Sequence, residues 1–119
     1  MRNLKLSEIL SAMNFVLIKS KQDNNTLYLF DDQNGTELDT ISINGHVVEE
    51  AIERLKIYID GYFKVVIQEL TGLDLSKCKD YKEIFELIKD NSKVSEDEKC
   101  IIYNLANPEI IDISEYIAI

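Results

Sequence analysis

The chain has 119 residues, of which 45% are hydrophobic and 29% are charged. This length and composition predict one globular domain over residues 1–119 and exclude a long disordered tail. Because 22 acidic residues outnumber 13 Lys and Arg, the formal net charge is −9. Nonspecific attraction to nucleic-acid phosphates, and so direct nucleic-acid binding, is not expected.

The distribution of apolar residues and cysteines indicates the cellular compartment. No apolar run approaches the roughly 20 residues that a membrane span needs, and residues 1–10 lack the apolar core and cleavage site of a signal peptide. We therefore expect a cytoplasmic protein with no membrane partner. Cys78 and Cys100 lie 22 residues apart without a second Cys or a His nearby. Two reduced thiols are favoured over a disulfide, and no metal is implied.

The first 43 residues are predicted to form a short helix and three antiparallel strands. Helical spacing relates Leu4, Leu6, Ile9, Leu10 and Met13. A start near Ser7 limits this helix to two turns or fewer. Three β-branched or aromatic runs follow, with polar residues between them. The predicted strands are residues 15–20, 26–30 and Leu38–Ile43.

The pair Asn34-Gly35 predicts a type I′ hairpin turn, because both residues tolerate a positive φ. A two-residue loop places Tyr28 opposite Ile41. The buried sheet face would then consist of Tyr28, Phe30, Ile41 and Ile43. The same register sets Asp32 opposite Glu37, which brings two like charges together, so a longer loop stays an alternative.

The segment from His46 to Thr71 is predicted to be one long amphipathic helix of about 26 residues. Its apolar side would carry Val48, Ala51, Ile52, Leu55, Tyr58, Ile59, Tyr62, Phe63, Val66 and Leu70. Ile57 projects alone from the polar side. Asn44-Gly45 either leads into this helix, which we favour, or forms another hairpin turn. Gly61 indicates a kink or, alternatively, a close approach by a partner, and Gly72 ends the helix.

Two short helices are predicted after Gly72, each with a D-x-x-E or S-x-x-E start. Asp80 with Glu83 begins one, and Ser95 with Glu98 begins the other. Asn107-Pro108 ends the second, and residues 110–119 fit a helix or a strand equally well. The predicted fold class is α+β: a short N-terminal helix, a three-stranded antiparallel sheet, one long central helix, then two or three short C-terminal helices.

Catalytic and metal-binding patterns are weak throughout the sequence. The one histidine, His46, has no nucleophile in a recognisable context, and a helix-capping or surface role is favoured. The four glycines are isolated in the sequence, so no glycine-rich phosphate-binding loop is predicted. An EF-hand alignment on Gly35 fails, since Phe30 and Ile41 fall on ligand positions. We expect no enzyme activity and no cofactor.

Negative charge is concentrated in one part of the chain. Between Gln22 and Glu53 there is no Lys or Arg, whereas the rest of the chain has fourteen acids and thirteen bases. The eight acids of this stretch, all candidate partner-binding residues, are Asp23, Asp31, Asp32, Glu37, Asp39, Glu49, Glu50 and Glu53. Helix-dipole and turn preferences explain part of the pattern. The remainder predicts a negative surface that attracts a basic partner.

These properties favour a protein that acts by covering another protein's surface. The first hypothesis is an inhibitor of a nucleic-acid-handling protein, of the anti-defence type carried by phages and mobile elements, for example an anti-CRISPR protein. The alternative is an immunity protein or antitoxin that masks a cognate toxin. Either partner, a nuclease or a toxin, would present a basic surface, and a homodimer is left open. A small enzyme would need a pocket that the sequence does not indicate.

Overall fold

The computed structural model describes residues 1–22, 26–42 and 48–116, with the backbone alone for residues 42 and 48–52. The helices are α1 (Leu6–Ala12), α2 (Val48–Thr71), α3 (Tyr81–Ile88) and α4 (Glu96–Ala106). The strands are β1 (Phe15–Lys19), β2 (Thr26–Asp31) and β3 (Glu37–Ser42). These elements confirm the α+β class, with an antiparallel sheet in the order β1-β2-β3. The predicted start of the long helix at His46, the Asn44-Gly45 alternatives and the candidate Asp23 lie outside the described residues.

Residue contacts group the chain into two compact units. The sheet unit comprises Leu6–Ile59 and Ile113–Ile119, and the helical unit comprises Met1–Lys5 and Asp60–Asp112. α2 contributes residues to both units. The prediction of a single domain over residues 1–119 stays a prediction.

On β2 the sheet buries the face opposite to the predicted one, whereas Ile41 on β3 is buried as predicted and Ile43 lies outside the described residues. Leu17, Leu27, Leu29 and Ile41 are buried, whereas Tyr28 and Phe30 are only half-buried. The cause is the register, in which Ile41 lies opposite Leu27, and Tyr28 lies opposite Thr40. Directly paired residues of an antiparallel sheet share a face, so a shift of one residue exchanges the inward and outward sets.

The register follows from the length of the β2–β3 loop. Five residues, 32–36, connect the strands, and the pairing shifts between Leu29 and Phe30, so that Leu38 is the extra residue of a β-bulge. The two-residue Asn34-Gly35 turn is therefore wrong, and the longer loop is confirmed. Glu37 lies opposite Phe30 and not opposite Asp32, which avoids the like-charge pair.

α2 packs on the inner side of the sheet within the sheet unit. Phe15, which shares a face with Leu17, makes an edge-to-face contact with Tyr58 at a ring-centroid distance of 6.0 Å. The buried residues of the helix recur every fourth position, at Leu55, Ile59, Phe63 and Ile67. Four residues advance about 400° around the helix axis, so the row of buried residues turns by about 40° from each buried residue to the next. This rotation explains why Ile67 is buried while Leu70, which the sequence places on the apolar side, is exposed.

The two glycines of the long helix differ in role. α2 continues unbroken through Gly61, and no atom lies within 4 Å of the position that a Cβ would occupy there. Gly61 therefore breaks no helix and packs closely against no described residue. Gly72 follows the last residue of α2 with a φ of +72°, and its N–H donates to the carbonyl of Gln68. It ends the helix as predicted.

The helical unit confirms both predicted helix starts. Asp80 accepts a hydrogen bond from the Glu83 N–H at the start of α3, and Ser95 and Glu98 form a complete capping box at the start of α4. The C-terminal segment is neither α-helix nor strand up to residue 116. It contains two 3-10 turns, Pro108–Ile110 and Ser114–Tyr116, and residues 117–119 lie outside the described part.

A buried amide holds the N-terminal segment in the helical unit. Asn104 on α4 is 0% exposed, and its Oδ1 accepts from the Leu4 N–H at 2.9 Å. Its Nδ2 donates to the carbonyls of Arg2 and Cys100 at 3.0 and 2.9 Å. The Leu4 carbonyl in turn accepts from the Asp112 N–H at 2.8 Å. A single buried side chain thus uses both its acceptor and its donor groups on the backbone, as buried polar groups generally require.

Tyr81, the first residue of α3, is buried and hydrogen-bonded to the carboxylate of Asp60 on α2. Lys64 places its Nζ 5.9 Å from the centre of the Tyr81 ring. Burial is the main cause that raises the pKa of Tyr81 above its usual value, and the Asp60 hydrogen bond and charge add to the effect. The protonated hydroxyl therefore helps to hold α3 on the second half of α2.

Replacement of Asn104 by Leu should lower the free energy of unfolding by about 3 kcal/mol, because the buried Leu4 N–H loses its acceptor and the Arg2 carbonyl loses a donor. Urea denaturation followed by circular dichroism measures the change. Asn107→Leu is the matched control, since Asn107 is half-buried and its side chain donates one hydrogen bond, to the Tyr103 carbonyl. Equal stabilities of the two variants would contradict a special role for Asn104.

Stability should decrease above about pH 10, where Tyr81 ionises in the unfolded chain but stays protonated in the folded one. The contribution of the protonated Tyr81 to the free energy of unfolding is complete below that pH. It is lost as the pH rises, at up to about 1.4 kcal/mol per pH unit. Urea midpoints between pH 8 and 11 should show a smaller slope for Tyr81→Phe than for the parent. Tyr62→Phe, on an exposed tyrosine, controls for the loss of a hydroxyl group. Identical slopes for Tyr81→Phe and the parent would rule this effect out.

Candidate functional site

The end of the β2–β3 hairpin brings three of the predicted acidic residues together. Asp31 ends β2, Asp32 begins the loop, and Glu37 begins β3. We call these three residues the acidic hairpin end. They share a location but differ in what their carboxylates contact.

Asp31 stabilises the turn. Its Oδ1 accepts hydrogen bonds from the backbone N–H groups of Gln33 at 2.9 Å and Asn34 at 3.3 Å. Its carbonyl accepts from the N–H of Gly35 at 2.8 Å, and Gly35 has a φ of +68° that suits glycine. The carboxylate thus closes the five-residue loop from inside, as Asp does in many turns.

Asp32 and Glu37 are exposed, and neither has an ion-pair partner among the described residues. The Asp32 backbone N–H donates to the Asn14 carbonyl at 2.8 Å, which ties the start of the loop to the residue before β1. Glu37 Oε2 accepts from the Thr40 hydroxyl at 3.4 Å. Both carboxylates therefore project from hydrogen-bonded backbone, and their charge is available to a partner.

Asp39 lies on the other face of the sheet and is neutralised. It pairs with Leu29, whose side chain is buried, so it points to the α2 side. Its Oδ1 lies 3.2 Å from Nη2 of Arg54 on α2, with side-chain exposures of 22% and 58%. Such a pair contributes roughly 0.2–1 kcal/mol at an exposed site. Arg54 directly follows the base-free stretch in sequence, so its pairing with Asp39 depends on the fold.

The remaining predicted residues are less informative. Glu53 is exposed on α2, one residue before Arg54. Glu49 and Glu50 belong to α2, but their side chains are not described, and Asp23 and His46 lie outside the described residues. The structure therefore brings together three of the eight predicted carboxylates and separates Asp39 from them.

The lysine of the sheet lies at the opposite end from the acidic residues. Lys19 pairs with Leu27, while Phe15 pairs with Asp31, so the two ends are four residue steps apart along β2. At about 3.3 Å per residue this is roughly 13 Å, which exceeds the screening length of about 8 Å at physiological salt. The negative potential of the acidic hairpin end is therefore not cancelled by Lys19.

Partly exposed apolar side chains adjoin this acidic end, and the sequence pattern did not predict them. The face opposite the buried leucines, here called the outer sheet face, contains Val16, Ile18, Tyr28, Phe30, Glu37 and Leu38. One feature of the sequence pointed to this outward face. The two-residue loop would have set the like charges of Asp32 and Glu37 opposite each other, which argued for a longer loop. A longer loop exchanges the two faces and leaves Tyr28 and Phe30 outward.

A separate groove of about 450 Å³ lies in the helical unit, between α3 and the segment that follows α2. Its lining includes Cys78, Lys82, Glu83 and Leu87. Burial is the main cause that raises the pKa of the Cys78 thiol, and the charge of Glu83 acts in the same direction. The thiol therefore stays protonated near neutral pH and is a poor nucleophile. Both cysteines are half-buried free thiols.

The part of the chain that the structure describes holds no group of three or more His, Cys, Asp or Glu placed to bind a metal ion. None of its described helices combines the length and apolar composition needed to cross a bilayer. In comparisons with known proteins, no family model matches the sequence. No curated protein and no solved structure matches it either.

Asp31→Ala should lower the free energy of unfolding by about 1 kcal/mol, because the turn N–H groups lose their acceptor. Asp32→Ala, one residue away and with an exposed side chain, should change it by no more than about 0.5 kcal/mol. Urea denaturation of the two variants measures the difference. If Asp32→Ala proved the more destabilising, the assignment of Asp31 to the turn and Asp32 to the free surface would be wrong.

Proposed function

We propose that this protein binds and inhibits a nucleic-acid-handling protein, and that the acidic hairpin end is a central part of its binding surface. The observation that carries the proposal is the exposure of Asp32 and Glu37 without ion-pair partners among the described residues. They lie on a hairpin whose turn is closed by Asp31. Charge held on an ordered turn costs little conformational entropy on binding.

Proteins that handle nucleic acids hold phosphates with Lys and Arg side chains in grooves. A hairpin end that carries negative charge complements such a groove and competes with the nucleic acid for the same cations. The net charge of −9 adds long-range attraction to a basic partner and opposes contact with nucleic acid itself. Inhibition then requires occupancy alone and no catalytic group.

Within this proposal the protein is of the anti-defence type that phages and mobile elements carry, with a CRISPR nuclease as the example of a partner. It would act in the cytoplasm, where such nucleases meet their substrates. The base-free stretch from Gln22 to Glu53 also contains the candidate carboxylates Asp23, Glu49, Glu50 and Glu53, whose charge would add to the attraction of a basic partner. Asp39 would contribute less, since it is paired with Arg54.

The test compares two double variants with the same change in net charge. Asp32→Lys with Glu37→Lys reverses the free charges of the hairpin, and Glu69→Lys with Glu109→Lys reverses two exposed carboxylates of the helical unit. The parent and both variants are immobilised and exposed to host lysate, and retained proteins are identified by mass spectrometry. We expect a nucleic-acid-binding protein on the parent and on the control variant. The hairpin variant should bind it at least tenfold more weakly, since each reversed contact is worth about 1 kcal/mol or more.

A competition assay with the purified partner decides the function. One equivalent of the parent protein should displace labelled DNA or RNA from the partner in an electrophoretic mobility assay, and the hairpin variant should not. Unchanged nucleic-acid binding at saturation would refute inhibition by occupancy. A retained toxin whose activity is masked would favour the immunity-protein alternative.

A further inference from the structure

The outer sheet face carries two rows of paired side chains. Ile18, Tyr28 and Thr40 form one row across the three strands. Val16, Phe30 and Glu37 form the other. Each row is apolar on β1 and β2 and polar on β3. The face therefore has an apolar centre that ends at a carboxylate.

The apolar centre is accessible. Ile18 is 48% exposed and Leu38 is 36% exposed, and both Tyr28 and Phe30 are partly exposed. The centres of the Tyr28 and Phe30 rings lie 6.4 Å apart, and the ring planes are tilted by 54°. Among the described residues, neither ring contacts any other aromatic ring. Exposed aromatic and aliphatic side chains that adjoin one another are typical of binding surfaces, where Tyr and Phe contribute much of the affinity.

The β-bulge at Leu38 brings the Glu37 carboxylate to this aromatic centre. In a bulge two residues face one, so Glu37 and Leu38 both lie beside Phe30. The Thr40 hydroxyl, on the same face, donates to Glu37 Oε2 at 3.4 Å and helps to orient the carboxylate. Directly paired Cβ atoms are about 5 Å apart, so one planar group can contact the Phe30 ring and the Glu37 carboxylate together.

We propose that the outer sheet face recognises an arginine side chain on the basic partner, with the guanidinium stacked on Phe30 and hydrogen-bonded to Glu37. This inference rests on the proposed function and names the chemistry of its interface. Arginine fits because its guanidinium is planar, stacks on aromatic rings and pairs with carboxylates through two N–H groups. Lysine has a compact charge that fits the carboxylate but cannot stack as a plane.

Charge complementarity favours a basic partner over a second copy of this chain. A symmetric dimer through this face would place the same patch on both sides of the contact. Glu37 and the adjoining Asp32 of one copy would then approach those of the other, and the outer sheet face has no Lys or Arg of its own to compensate. An arginine-bearing surface instead satisfies both the rings and the carboxylates.

The test uses hexa-arginine and hexa-lysine peptides as probes, with affinities from isothermal titration calorimetry and the site located by amide NMR shifts. The parent should bind hexa-arginine roughly two- to fivefold more tightly than hexa-lysine, as expected for one exposed cation–π contact. The largest shifts should fall on Tyr28, Phe30 and Glu37. Phe30→Leu keeps an apolar side chain without the ring, so it should remove the preference for arginine.

Two further variants make the outcome decisive. Glu37→Gln, on an exposed side chain, should weaken both peptides, which tests the site even where Phe30→Leu affects folding. Tyr62→Leu, which removes an exposed aromatic ring in the helical unit, should keep the preference for arginine. Equal affinity of the parent for both peptides, or an arginine preference that survives Phe30→Leu, would overturn the inference.

The same variants separate this inference from the proposed function. If the partner captured above is lost on charge reversal at Asp32 and Glu37 but is held equally by Phe30→Leu, the function stands and the arginine site fails. If neither change affects capture, both fail. Sedimentation velocity at increasing protein concentration tests whether a second copy of the chain occupies the face instead. A dimer that Phe30→Leu dissociates would assign the face to a second copy and overturn the arginine site.

Discussion

The length of the β2–β3 loop sets the register of the sheet, and the Asp31 carboxylate stabilises that loop through hydrogen bonds from the N–H groups of Gln33 and Asn34. A five-residue loop with a bulge at Leu38 pairs Leu27 with Ile41. The leucines of β2 then face α2, and the aromatic residues of the same strand face outward. A one-residue change in loop length would exchange these two faces, so the turn determines both the core and the exposed surface.

The same turn separates carboxylates that are close in sequence. Glu37 and Asp39 are two residues apart, but the one carries free charge beside Phe30 and the other is paired with Arg54 on the α2 side. Asp31 is occupied by backbone N–H groups. The surface available to a basic partner is therefore smaller than the composition of residues 22–53 indicates, and it adjoins aromatic side chains that can add affinity to charge attraction.

The helical unit depends on polar groups inside an otherwise apolar core. Asn104 joins the segment around Leu4 to α4, and the Tyr81 hydroxyl is hydrogen-bonded to Asp60. Neither role follows from hydrophobic periodicity, since Asn104 falls among apolar residues of α4 and two of its three backbone partners are about 100 positions away in the chain. Such contacts specify one arrangement because each buried polar group must find its own partner.

The sequence by itself determined the α+β class, the end of α2 at Gly72 and the starts of α3 and α4, because these depend on local spacing, capping and glycine conformation. It also located the acidic stretch. Only the tertiary structure decided which sheet face is buried, which carboxylates stay free and how Asn104 is used. Those outcomes depend on strand register and on partners distant in sequence, such as Arg54 for Asp39. The like charges of Asp32 and Glu37 argued against the short loop, but local spacing alone fixes neither the register nor the partners.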